Sequence, residues 1–270
     1  MEIIDQLQRK LTLNRTPRRI ISLVPSQTEL LVALGLRESI VGITKFCVHP
    51  ADLKGEKTVV GGTKQVHFSK IKSLGPDIII CNKEENTEAM VQQLQEIAPV
   101  WISDVKTIED STAMILQLGE IFQKGPEASQ IVSRIECEMR RHRSFMKPFS
   151  TKKVLYLIWK NPYMAVGKGT FINSLLRENN FENIFTQKMA RYPEVAPEDF
   201  KKPDLILLST EPYPFNETDV VKFKEVFKTE VKLVDGAFFS WYGSRLANAF
   251  QYFRTLHEGR DHLSACLKDR

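Results

Sequence analysis

The side chains best able to hold a ligand in this 270-residue chain fall in short polar loops that follow apolar runs. TKFCVHP brings an aromatic ring (Phe46), a soft sulfur (Cys47) and an imidazole (His49) close together, and a Cys-x-His spacing can turn two donors toward one metal. No second Cys/His pair accompanies them, so Cys47 and His49 read as candidate axial ligands of a metal chelate, not as half of a closed zinc site. Pro25 and Ser26, in VPSQTE, turn the chain into a helix whose amino end suits an anionic group. Gly61 and Gly62 in VVGGTKQVHF permit close backbone approach, with Thr63, Lys64 and His67 beside them. Asn82, Lys83, Glu84 and Glu85 follow the most apolar run of the first half and offer polar contacts. Each of these has a plain structural counterpart: a helix cap, a tight turn, a hydrogen-bonded loop histidine or a solvated charge cluster.

The second half supplies rings. Trp159 and Tyr163 stand in LIWKNPYM, Tyr192 in ARYPEVAPED, and Phe238, Phe239, Trp241, Tyr242 and Arg245 in FFSWYGSR. Aromatics of this density outside strands are costly to leave in water, so some are core and two or three are expected to wall a large planar ligand. Catalytic motifs are sparse. GKGT at 167–170 lacks the upstream glycine of a P-loop, no G-x-S-x-G or H-E-x-x-H occurs, and five histidines make a thin acid/base inventory.

These loops need strands and helices to place them. Apolar runs at 20–24, 40–44, 78–81 and 100–103 alternate with helix-period segments, which argues for βαβ units and an α/β fold. In SQTELLVALG, Ser26 and Glu29 have capping-box spacing and Gly35 supplies the stop. The pattern restarts with runs at 154–159, 205–209 and 231–234, and GSRLANAFQYFRTLHE reads as a closing amphipathic helix. Between the halves, PEASQIVSRIECEMRRHRSF predicts one long helix, with Pro126 in its first turn and an apolar stripe of Ile131, Ile135, Met139 and Phe145. The expected partition is an N-terminal α/β lobe at 1–123, a connecting helix at 124–148 and a C-terminal α/β lobe at 149–270. KIKSLGPDIIICNKEE and DFKKPDLILLSTEP echo each other as short helix, Pro-Asp turn, strand and acidic loop, so two similar lobes with a cleft between them are expected.

Composition sets the outer limits. At 42% hydrophobic and 26% charged the chain is globular, and its +5 charge comes from 38 basic and 33 acidic residues spread along it. That spread does not make the basic stripe that nucleic acid requires. No apolar run approaches the roughly 20 residues that cross a bilayer. The mixed N-terminus MEIIDQLQRKLTLNRTPRR lacks the apolar stretch of a signal peptide, so the chain as written is expected in the cytosol unless a leader has been trimmed. Cys47, Cys81, Cys137 and Cys266 are widely spaced and form no C-x-x-C pair, which agrees with a reducing compartment.

RIISLVPSQTELLVALGL, VVGGTK, LGPDIIICNKEEN, the long helix, FENIF, YPEVAPEDF and KPDLILLS occur in that order. Together they resemble the cobalamin and iron-chelate substrate-binding proteins of bacterial ABC importers, from about Arg18 to the C-terminal helix. The resemblance implies a class III periplasmic-binding-protein-like fold: two Rossmann-like lobes bridged by a single long rigid helix, with little closure on binding. It sets Pro25, Phe46, Trp159 and Tyr192 at ligand-facing positions, while Thr63 and Asn82 stand where corrin-binding members have tryptophans. The implied ligand is a small-molecule metal chelate: a corrinoid such as cobalamin, haem or a ferric siderophore. No cofactor of the protein's own is implied. An ABC permease is the implied partner, met by one glutamate on each lobe; Glu198 matches the second, and Ser69 occupies the place of the first. Capture is thus expected from Phe46, Trp159, Tyr192, Trp241 and Tyr242 by stacking and from Thr63, Lys64, Asn82, Lys83 and Glu84 by polar contact. The alternative is a cytosolic enzyme that modifies a corrinoid or metal chelate with Glu84, Glu85 or His49 as acid/base groups.

Overall fold

The computed structural model describes residues 1–187, 190–200 and 202–259. Contacts divide the described chain into two units: Met1–Val105, Glu109–Ile135 and Tyr242–Arg245 form the first, and Lys106–Ile108, Glu136–Trp241 and residues 246–259 the second. The division thus falls inside the long helix, and four late residues join the first unit, unlike the partition read from sequence.

The first unit contains β1 (Glu2–Ile4), β2 (Lys10–Thr12), β3 (Ile20–Ser22), α1 (Pro25–Ala33), β4 (Ile40–Ile43), α2 (Leu53–Glu56), β5 (Thr58–Val59), α3 (Phe68–Ser73), β6 (Ile78–Asn82), α4 (Glu88–Gln95) and β7 (Val100–Ser103), then most of α5 (Ile108–Ile121). Five of the strands make a parallel sheet in the order β5-β4-β3-β6-β7. The chain winds one way from β3 to β5 and the other way from β6 to β7. The β3/β6 boundary is therefore the switch point, where loops at the carboxyl ends diverge and leave room for a ligand. Every residue of β6 is buried, as expected for a strand covered on both faces.

The hairpin β1-β2 was not legible in the sequence. Its loop closes the outer edge of β7: Gln6 N donates to Ile102 O at 3.2 Å, Asp104 N to Gln6 Oε1 at 3.0 Å, and the Arg9 guanidinium to Val100 O at 2.6 Å. An edge strand without such cover is a template for pairing with another chain.

The start of α1 corrects the sequence reading. Its N-cap is Val24, Pro25 occupies the first turn, and no side chain caps it. Ser26 lies buried within the helix, and the Glu29 carboxylate pairs with Arg245 at 2.8 and 2.9 Å instead of reaching back. Proline needs no amide partner at that position, so the capping box has nothing to satisfy there. The stop is as expected: Gly35 has φ +76°, with Leu36 N to Leu31 O at 3.0 Å and Gly35 N to Val32 O at 2.9 Å forming a Schellman turn.

After α6 (Gly125–Met146), the second unit holds β8 (Lys152–Trp159), β9 (Tyr163–Ala165), α7 (Phe171–Glu178), β10 (Phe181–Asn183), β11 (Glu194–Val195), β12 (Leu205–Ser209), α8 (Glu217–Phe227), β13 (Glu230–Val234), α9 (Gly236–Ser240) and α10 (Leu246–His257). Its six-stranded sheet runs β11-β9-β8-β12-β13, with β10 parallel to the amino part of β8 and β9 antiparallel to its carboxyl part. The Pro-Asp echo has a common purpose in the two sheets. Asp77 N donates to Arg19 O at 2.8 Å and its carboxylate accepts from Arg19 N at 3.0 Å; Asp204 N donates to Lys153 O at 2.8 Å and its carboxylate accepts from Lys153 N at 2.7 Å. Each aspartate thereby fixes the register of its strand against the central one at the amino end.

The buried residues of α6 are Ala128, Ile135, Glu138, His142 and Met146, at helical spacing but sharing only Ile135 with the apolar stripe read in the sequence. Polar residues can hold these places because they are partnered. The Glu138 carboxylate meets Arg254 and Arg141 at 2.6 Å each. His142 shares a hydrogen bond with Glu178 O at 3.1 Å, and His257 one with Asn179 Oδ1 at 3.1 Å. Both imidazoles sit among Phe145, Phe149, Phe181, Phe250 and Phe253, and burial lowers each to a pKa of about 4. A histidine depressed in the folded state binds protons more readily once unfolded, so its stabilising effect is present above the ordinary value of about 6.5 and fades as pH falls toward 4. We predict that urea unfolding loses up to about 3 kcal/mol from His142 alone between pH 7 and pH 4, and that His142→Phe shows a shallower decline over the same interval. Identical profiles for the two proteins would contradict this.

Candidate functional site

In the first unit the loops after β3, β4, β5 and β6 leave the sheet at its carboxyl end, and all the first-half candidates lie on them. Beneath them is a connected polar layer. Asn82, 3% exposed, accepts from Glu84 N at 2.8 Å and Glu85 N at 3.1 Å while its amide donates to Ser103 Oγ at 2.9 Å and Ser103 O at 3.2 Å. Asn86 donates to Thr63 O at 2.8 Å and accepts from Asn82 N at 2.8 Å, which ties the β5 loop to the β6 loop. The Lys64 ammonium closes the same join on Glu84 O. Gln27, fully buried, donates to Ser103 Oγ and, at 3.3 Å, to Tyr242 Oη. The sequence reading passed over Gln27, Asn86 and Ser103; their only signal was a polar residue inside or just after an apolar run.

The side chains above this layer differ in what they present. Phe46 is 49% exposed, with the Lys45 ammonium 5.1 Å from its ring centre. A Cβ on Gly62 would come within 3.2 Å of the Phe46 ring, so that glycine leaves room for it. Gly61 serves its own turn: at φ +137°, an added Cβ would lie 2.5 Å from Gln65 O. Cys47 points inward, its Sγ 3.1 Å from Thr28 Oγ1 and 3.3 Å from Thr44 Oγ1, and burial pushes its thiol up. His49 and Pro25 are half-buried, and Lys83 is exposed with Asp104 at 3.4 Å. Glu84 and Glu85 are half-buried, and His67 is exposed.

The second unit presents Trp159 as the last residue of β8, 39% exposed, with the Tyr213 ring edge-on at 5.7 Å. Tyr213, from the loop after β12, was not anticipated. Nearby, Lys160 pairs with Asp219 at 2.6 Å, an aspartate that also closes the capping box of α8. Tyr192 is half-buried in the segment before β11. Trp241 and Tyr242 are 9% and 8% exposed. Trp241 donates its indole N–H to Glu211 Oε1 at 2.8 Å, an oxygen that Ser240 also meets at 2.8 Å. Tyr242 belongs with the first unit, where burial raises its phenol well above the ordinary value. Phe239 is wholly buried, and Phe238 stacks on Tyr252 at 4.7 Å. Glu198 is exposed on a 3-10 turn and Ser69 on α3.

No three His, Cys, Asp or Glu side chains come together as a metal-ligand set among the described residues, and Cys266 lies outside them. Among the described residues, no helix is long and apolar enough to cross a membrane. The arrangement offers stacking surface and hydrogen-bonding loops. We predict that Asn82→Ala, which removes four hydrogen bonds at once, destabilises the protein by about 2–3 kcal/mol and speeds amide exchange at Glu84 and Glu85; unchanged exchange there would contradict its part in the loop.

Comparison with known proteins gives a consistent answer. The sequence profile of a family described as periplasmic binding protein matches residues 20–231. An uncharacterized ABC transporter substrate-binding lipoprotein of Bacillus subtilis is 26% identical over 236 residues, covering 84% of this chain and 72% of that protein. A vitamin B12-binding protein of Pectobacterium carotovorum is 24% identical over 201 residues, covering 73% and 72%. The crystal structure of the periplasmic vitamin B12-binding protein of Vibrio cholerae superposes with a TM-score of 0.78 at 20% identity, covering 91% of this chain and 98% of that one, and shows the same fold.

Proposed function

The chain belongs to the periplasmic binding protein family, and we propose that within it this protein is the capture subunit of an ABC importer for a metal chelate, a corrinoid first of all. The family match supports binding without chemistry, and nothing in it supports the enzyme alternative. One structural observation carries the ligand class. Among the described residues, the large hydrophobic side chains left exposed include two aromatic rings, Phe46 and Trp159, and both stand at carboxyl ends of parallel strands, one in each unit. Exposed rings at a sheet's ligand-facing end suit a broad, flat, partly apolar ligand.

The polar loops complete the reading. Lys83, Glu84 and the Thr63 hydroxyl meet the amide or carboxylate periphery of the chelate, while Ser26 and Asn82 hold the loops that present them. His49 is the axial donor for a metal that arrives inside its own chelate, since the Cys47 sulfur is turned onto two threonine hydroxyls. Tyr192 adds ring surface; Trp241 and Tyr242 support the loops through their engaged polar tips. Glu198, exposed on its turn, makes the contact with the permease, and the protein works on the outer side of the membrane that the permease spans.

Titration of the purified protein with cobalamin, cobinamide, haem and ferric siderophores, followed by tryptophan quenching and ligand absorbance, tests this. We expect one of them to saturate below about 10 μM, roughly 7 kcal/mol, and to be recovered chemically unchanged. Trp159→Ala and Phe46→Ala should each weaken binding at least about tenfold, near 1.4 kcal/mol, with circular dichroism unchanged, and His49→Ala should abolish any shift in the ligand's visible spectrum. Silence from all four ligands, or affinity unmoved by both ring deletions, would overturn the reading.

A further inference from the structure

A second concavity lies in the second unit, at the opposite end of the sheet from Trp159. It is a pocket of about 450 Å³ bounded by Thr151, just before β8, by β10 and by α7. β10 pairs with Lys152, Lys153 and Val154, the first residues of β8, whereas Trp159 is its last. Five residues of strand separate Val154 from Trp159, about 17 Å at 3.3 Å per residue. The pocket thus lies toward the end of β8 away from Trp159, and its volume is within the range of small-molecule sites.

Its chemistry is rich in donors. Lys168 and Arg177 both line it and are exposed, and among the described residues neither side chain has a hydrogen-bond or ion-pair partner. Two neighbouring cations are engaged elsewhere: Lys152 with Glu230 at 2.9 Å and Arg143 with Glu178 at 2.6 Å. The third donor is built more firmly. Asn173 is 4% exposed, and its Oδ1 accepts from Asn183 Nδ2 at 3.0 Å. Asn183 is itself fixed, donating also to Val166 O at 2.9 Å and accepting from Phe185 N at 3.0 Å. That chain of amides sets the orientation of Asn173, and what it has left for the pocket is its Nδ2 donor, which has no partner among the described residues. Asn173 lines the pocket, so this held amide offers a donor of set orientation to a group that enters it. Thr151 and Thr186 add hydroxyls, and Glu182 is the one carboxylate lining the pocket among the described residues.

We propose that this pocket binds the oxyanion group of a small metabolite, a phosphate or a carboxylate, held by the Arg177 fork and the Lys168 ammonium with the Asn173 amide as the orienting donor. Glu182 tells against a densely charged polyanion and favours a ligand that carries a single oxyanion beside a neutral or cationic part. The site does not depend on the capture reading: none of its lining residues is among those assigned to the chelate.

Calorimetric titration of the full chain with inorganic phosphate and with acetate, at low ionic strength, separates the two sources of the oxyanion. Saturable binding of either with Kd below about 5 mM, roughly 3 kcal/mol, is expected. Arg177→Gln should weaken it at least about tenfold and Asn173→Ala by a smaller factor, while Glu182→Gln leaves it intact or tightens it. Lys168→Gln, at an exposed position that cannot affect folding through burial, guards against misfolding of the asparagine variant. Trp159→Ala should leave the oxyanion affinity unchanged. Absence of saturation with both anions, or equal affinity in wild type, Arg177→Gln and Lys168→Gln, would overturn the proposal.

Discussion

A parallel strand can follow another only after a crossover that returns the chain to the same starting edge, so every loop that leaves a carboxyl end lands on the same side of the sheet. The rest of the arrangement depends on this. In the first unit it gathers Pro25, Phe46, Thr63 and Lys83 from four separate stretches of sequence; in the second it puts Trp159 beside Tyr213 and Lys160. The reciprocal backbone pairing of Asp77 with Arg19, and of Asp204 with Lys153, holds the other end of each sheet in register. One motif, used in both units at the amino ends, leaves the carboxyl ends open for binding.

Loops that carry polar contacts must themselves be held, and here the holding is done by buried side chains. Asn82 and Asn86 replace backbone pairing that these loops cannot make with a neighbouring strand, and Ser103 and Gln27 continue the layer under α1. The exposed surface above is then free to be aromatic. This separation gives Asn82 a supporting part and leaves the Phe46 ring exposed above it.

Much of this was legible from the residues. The strands at 78–81, 100–103 and 205–209 are continuous apolar runs, and continuity is what burial on both faces requires. Gly35 was readable because only a residue tolerant of positive φ ends a helix that way. Ser26 and Glu29 misled because capping-box spacing says nothing of the proline between loop and helix, nor of an arginine 216 residues away that takes the glutamate. The stripe on α6 misled for a related reason: Glu138 and His142 are polar by type but buried by virtue of Arg254 and the carboxyl end of α7, partners no local window contains. The short strands β9, β10 and β11 are too brief for a period to show, and the rings of FFSWYGSR could not be sorted into core and surface until Glu211 and Gln27 were seen to take the polar tips of Trp241 and Tyr242.

The central claim is that ligand contacts are confined to the carboxyl-end loops of the two sheets. Hydrogen-exchange mass spectrometry of the protein, free and saturated with cobinamide, tests it most directly. The account predicts protection at 44–47, 61–65, 83–87 and 159–163, with 151–153 and 181–183 unchanged. Protection at the amino ends of the strands, with the carboxyl-end loops unaltered, would contradict it.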